Sequence, residues 1–213
     1  MTFRNIATFV LAALPAVFVL TRPDAATETT TTQDSSQDPA KMQEQMKEMM
    51  AKAAKFTQPG AEHKKLARMV GTWTMSTRFV MAGQKSKPET GESQISWLDE
   101  GRWLQMRWSG SMMGQPARGW TWLGYDKFKM SYVSTSVSSG DTAMNRSEGD
   151  LTPDGKALVL YGTLDEYLTG EHDKMVRYVY RFVSDDEMVL EVHDLPIGLE
   201  NTMVMEISFE RKA

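Results

Sequence analysis

The chain has 213 residues, 41% of them hydrophobic and 24% charged, with a formal net charge of −4 and no cysteine. That balance suits one domain around one core. The missing cysteine excludes disulfides, thiolate metal sites and a cysteine nucleophile, and an acidic surface without a basic cluster argues against nucleic acid, whose binding needs Lys and Arg to displace counterions.

Residues 1–26 read as a secretory signal. Arg4 supplies the positive start, and Ile6 to Leu20 is an apolar run of about 15 residues, short of the roughly 20 that a membrane span needs. Ala25-Ala26 is the candidate cleavage neighbourhood. Asp24 stands where a small residue is preferred, so an uncleaved N-terminal anchor is the alternative. Either reading places the domain in the periplasm or outside the cell, with membrane contact only through that segment. Residues 27–39 are a polar, repetitive tract that cannot bury enough surface to offset chain entropy, and they read as a disordered linker.

Residues 40–58 read as a Met-rich amphipathic helix, with Asp38 as its cap and Pro39 at its start. Met42, Met46, Met49, Met50, Ala53 and Phe56 recur every three or four positions and draw one apolar stripe. The expected role is a helix lying on the following domain or closing its mouth. A soft thioether site for Cu(I) is the alternative, and methionine at helical spacing more often fills a core. A second short helix is expected over Ala61 to Met69, with His63, Leu66, Ala67 and Val70 facing inward.

Residues 59–213 read as a mainly β domain of about ten antiparallel strands. Gly71-Thr72-Trp73 opens the first strand: glycine permits a close backbone turn, and the indole plugs one end of a barrel. Alternation then marks Trp73, Met75 and Phe79; Trp97; Leu104, Met106 and Trp108; Trp120 and Trp122; and Phe128, Met130 and Tyr132. Gly110 to Pro116 and Thr152 to Lys156 are turn regions, and the polar run Thr142 to Glu148 reads as a weaker strand. Tyr178, Tyr180 and Phe182 form an apolar face opposite Arg177 and Arg181, and these outward arginines are expected to be solubilising or to pair with Glu206 or Glu210. Met188, Leu190 and Val192 oppose Glu191 and His193. Short loops and one apolar face per strand favour a closed barrel, which leaves no open edge, over a two-sheet sandwich.

Pro59 to Leu66 followed by Val70-Gly71-Thr72-Trp73, then Asp99 to Leu104, Met113-Gly114, Gly119, Gly124 to Lys127, Tyr132-Val133 and Met205 to Arg211, together resemble a bacterial family of unknown function, number 1579, over about residues 59–212. The resemblance implies a calycin-like or lipocalin-like barrel and no established activity. It also implies that Arg211, on the last strand, packs on the Trp73 indole beside Gly71 as structural closure, where a guanidinium stacks well on an indole. The family commonly carries a tryptophan soon after Tyr132-Val133-Ser134, where this chain has Thr135-Ser136-Val137. A pocket lined there is expected to be roomier or more polar.

No catalytic motif, phosphate loop or dinucleotide fingerprint occurs, and no activity is assigned. His172 lies in a turn, His63 in the short helix, and His193 on the face opposite an apolar one, so His193 is expected to be solvated surface. The leading reading is an exported barrel that binds a small apolar or amphiphilic molecule. Its expected lining is Met75, Phe79, Trp97, Met106, Trp108 and Trp120, continued by Trp122, Tyr132, Tyr178, Tyr180 and Met205. The same residues would serve a filled core, so a structural or protein-interaction barrel is the second reading. A haem-binding or enzymatic barrel using His193 is the third, and neither a cofactor nor a metal is expected.

Overall fold

The computed structural model describes residues 38–81, 83–99, 101–167, 169–195 and 202–212. The expected signal or anchor, and the linker as far as residue 37, lie outside the described residues. Helix α1 (Pro39–Thr57) forms as expected, with Asp38 Oδ1 accepting the Ala40 N–H at 3.0 Å. Its stripe does not pack on the barrel, however: no α1 residue is buried, and Met46, Met49 and Met50 are 56%, 61% and 65% exposed. Its C-terminal end touches the barrel, where Phe56 meets the exposed Phe128 ring and Arg102 donates to the Thr57 carbonyl. Among the described residues no helix is long and apolar enough to cross a membrane.

Helix α2 (Ala61–Lys65) and the 3-10 turn Leu66–Met69 follow. His63, Leu66 and Met69 are buried. Ala67, expected to face inward, is exposed, because the tighter turn swings Met69 inward in its place.

The strands are β1 (Gly71–Met81), β2 (Gln84–Lys85), β3 (Glu89–Asp99), β4 (Trp103–Met112), β5 (Gln115–Asp126) and β6 (Ser131–Ser138). Then come β7 (Asn145–Leu151), β8 (Ala157–Glu166), β9 (Glu171–Phe182), β10 (Glu187–Asp194) and β11 (Thr202–Arg211). Each long strand pairs antiparallel with the next, β2 adds a short flap to β1, and β11 returns to β1 through Trp73–Arg211 to Phe79–Met205. The ring of ten long strands is therefore closed, which excludes the sandwich.

Two turns differ from expectation. The β4–β5 connection is only Met113-Gly114, both at positive φ (52° and 73°), so the strands run further than the glycines and proline suggest. Phe128 and Met130 are turn residues, not strand residues. Asp126 Oδ1 accepts the backbone N–H groups of Phe128 and Lys129 at 2.8 and 3.0 Å and leaves both apolar side chains outside.

Candidate functional site

One end of the barrel is sealed. Trp73 is 1% exposed and donates its Nε1–H to the Met69 carbonyl at 3.0 Å. The Arg211 guanidinium lies 4.2 Å over the indole and donates to the carbonyls of Val70 (2.6 Å), Arg68 (2.9 Å) and Asp185 (2.8 Å). Gly71 has φ +152°, and a side chain there would run into that guanidinium, which explains the glycine two positions before the tryptophan. Tyr132, also 1% exposed, donates to Glu62 Oε2 at 2.9 Å and ties the short helix to the barrel floor. His63 Nδ1 accepts the Gly60 N–H at 3.1 Å, and burial holds its imidazole below the ordinary range, helped by Lys127 and Arg102.

The other end holds a cavity of about 280 Å³. It reaches from rim residues such as Ser111, Ser138, Asp141 and Leu164 down to Tyr180 and Phe209. Because consecutive strands are neighbours around the ring, the cavity has two chemically distinct walls. Strands β3 to β7 contribute hydroxyls, among them Ser93, Thr121, Ser134, Ser136, Ser138 and Ser147. Strands β8 to β11 contribute Leu160, Tyr178, Leu190, Val192, Met205 and Ile207. Met106 and Trp108 also line it, on β4. Gly119 lies opposite Trp108 on the neighbouring strand, and a Cβ there would sit 2.5 Å from the indole Nε1.

Three polar groups inside have no hydrogen-bond partner among the described residues. Ser93 is 2% exposed, and its Oγ makes no hydrogen bond. The hydroxyls of Tyr178 and Tyr180 have no hydrogen-bond partner among the described residues. Burial pushes Tyr178 up to about 12, and burial followed by the neighbouring Tyr178 raises Tyr180 as well, so both remain protonated donors at neutral pH. Glu89, at the rim, is held below the usual carboxylate range by the Ser111 hydroxyl and then by the Gly114 N–H, and so pins the β4–β5 turn.

Of the expected lining residues, Met75, Met106, Trp108, Tyr178, Tyr180 and Met205 line the cavity. Trp97 and Tyr132 pack at the sealed end instead, and Phe79 lies beyond the lining although it shares the inward parity of Trp73 and Met75. Trp120 and Trp122 are a correction of face. On β5 the inward residues are Gly119, Thr121 and Leu123, which places both tryptophans on the outer surface opposite Arg107 and Gln105. The inward hydroxyls were missed because serine and threonine in a half-buried strand read as its solvent side. The signal that could have found them is the parity of β6, where Ser134 and Ser136 continue the face of the buried Tyr132.

His193 and Glu191 lie on the outer face of β10, opposite the buried Met188, Leu190 and Val192. They are not freely solvated: their side chains are 12% and 17% exposed, His193 Nε2 is 3.2 Å from Glu191, and Arg181 clamps Glu191 at 2.8 and 3.1 Å. Arg181 thus pairs along its own neighbour strand rather than with Glu206 or Glu210, and Glu206 pairs with Lys85. Among the described residues no group of three or more His, Asp or Glu side chains could hold a metal ion.

Among solved structures, the chain is similar to Rv2717c from M. tuberculosis, at 11% identity and a TM-score of 0.54, covering 73% of this chain and all of that one. It is also similar to the S-type phycobiliprotein lyase CPES from Guillardia theta, at 16% identity and a TM-score of 0.47, over 73% of this chain and 98% of that one. At these identities the first likeness speaks for the fold alone, and the second carries no argument. No curated protein matches the chain. The family described as "Protein of unknown function (DUF1579)" matches residues 58–211, and with that match, the closed ring of strands and the Gly71–Trp73–Arg211 seal, the chain belongs to this family.

Proposed function

We propose that the protein is an exported barrel that holds one small amphiphilic molecule in the cavity between its hydroxyl wall and its apolar wall. The cavity itself carries this reading. At about 280 Å³ it lies near the lower end of ligand pockets, which run from about 300 to 1,000 Å³, and it is far larger than a packing defect. The Tyr178 and Tyr180 hydroxyls, which have no hydrogen-bond partner among the described residues and belong to the cavity lining, add support, since they offer a guest polar contacts on an otherwise apolar wall. A filled structural core accounts for neither feature.

Native mass spectrometry of protein purified from its own organism tests this. The expected result is a mass adduct released on denaturation and absent from a Thr121→Trp variant, in which an indole fills the cavity from β5. An unliganded mass, or an adduct retained by the folded variant, overturns the reading.

A further inference from the structure

We infer that the molecule this cavity accepts is uncharged, and that it carries a carbonyl or hydroxyl oxygen along one edge. The inference rests on the cavity being a binding site, and it follows from what lines it. Seven serine and threonine residues at inward strand positions line the space, together with Asn145, Tyr178 and Tyr180, while among the described lining residues Asp141 is the sole carboxylate and no Lys, Arg or His occurs. A carboxylate, sulfonate or phosphate brought inside would be stripped of water with no cation to meet it, a cost that neutral hydroxyls do not repay. Asp141 at the rim adds repulsion.

Lys174, which shares the inward parity of Val176 and Tyr178 on β9, is already committed. Its ammonium lies 2.7 Å from Asp194, with Glu171 at 3.7 Å and Glu166 at 3.8 Å. A cationic guest fares no better inside, since the described carboxylates that could meet it, Asp141 and Glu89, stand at the rim.

The positive half of the inference comes from the Tyr178 and Tyr180 hydroxyls. Both are donors on the apolar wall with no hydrogen-bond partner among the described residues. Together they ask for an oxygen acceptor on a molecule whose remaining surface is apolar. Trp108, Met106 and Phe209 suit a flat or ring-bearing body.

Two matched probes separate this from the binding reading. N-phenyl-1-naphthylamine and 8-anilinonaphthalene-1-sulfonate share one arylamine skeleton and differ by an anionic group. In fluorescence titrations of the purified protein, the neutral probe is expected to bind saturably at one site and the sulfonate at least about tenfold more weakly. Equal affinities, or tighter binding of the sulfonate, overturn the inference and leave the binding reading standing. Saturation by neither overturns the binding reading and the inference with it. Ser136→Lys, which places a cation in the upper lining, is expected to bring the sulfonate to parity or better. An unchanged ranking in the folded variant also overturns the inference.

The oxygen acceptor is tested with 6-propionyl-2-(dimethylamino)naphthalene, a neutral ketone whose emission reports hydrogen bonding. Tyr178→Phe is expected to weaken this probe about fivefold while leaving N-phenyl-1-naphthylamine unchanged. A ketone indifferent to Tyr178→Phe and Tyr180→Phe alike overturns that half.

Discussion

Replacing Trp73 with alanine removes the largest fully buried side chain of the sealed end. Truncating a buried tryptophan costs about 3–5 kcal/mol, depending on how far the site can collapse. Here collapse is restricted. The Phe209 ring stands edge-on at 6.4 Å, and Arg211, above the indole, stays tethered to three backbone carbonyls whether or not the indole is present. The Met69 carbonyl also loses its donor. The expected loss is therefore in the upper half of the range, about 4–5 kcal/mol, or roughly 8–20 °C in melting temperature for a domain of this size. Trp73→Phe keeps most of the apolar body and forfeits chiefly the Nε1 bond, so it should cost less than half as much. Urea unfolding of the three proteins, followed by far-ultraviolet circular dichroism, gives both values. A loss below about 1 kcal/mol for Trp73→Ala would refute the plug, as would equal losses in the two variants.

Two further outcomes are expected. The His63 imidazole, held below its ordinary 6.5 chiefly by burial, stays neutral in the folded state where the unfolded chain is already protonated, so its contribution is present above about pH 6.5 and is lost as pH falls toward the lowered folded value. His63→Asn should flatten the stability–pH curve in that window, and parallel curves for variant and wild type would rule the assignment out. Haemin titrated into the purified protein should give no saturable Soret shift, because His193 lies on the outer face against Glu191 and no histidine lines the cavity. A saturable shift abolished by His193→Ala would overturn the face assignment.

Much of the barrel is legible in the residues alone. Alternation separates Met188, Leu190 and Val192 from Glu191 and His193, and Tyr178 and Tyr180 from Arg177 and Arg181, because successive side chains of a strand leave on opposite faces. Gly71, Trp73 and Arg211 carry the seal in their chemistry, and the family resemblance brings them together. Alternation does not say which face turns inward when both can. On β5 the sequence offers Trp120 and Trp122 against Gly119, Thr121 and Leu123, and only the register with β4, where Trp108 needs a glycine opposite, sends the tryptophans outside. Position along the barrel axis is equally hidden. Trp97 and Tyr132 have the inward parity of the pocket residues and fall at the sealed end because of how far each strand is slid against its neighbours. The hydroxyl wall is the same kind of fact: serines and threonines from β3, β5, β6 and β7 become one surface only when the ring closes and the registers bring them to one height, since cross-strand neighbours are set by hydrogen-bond register and not by sequence.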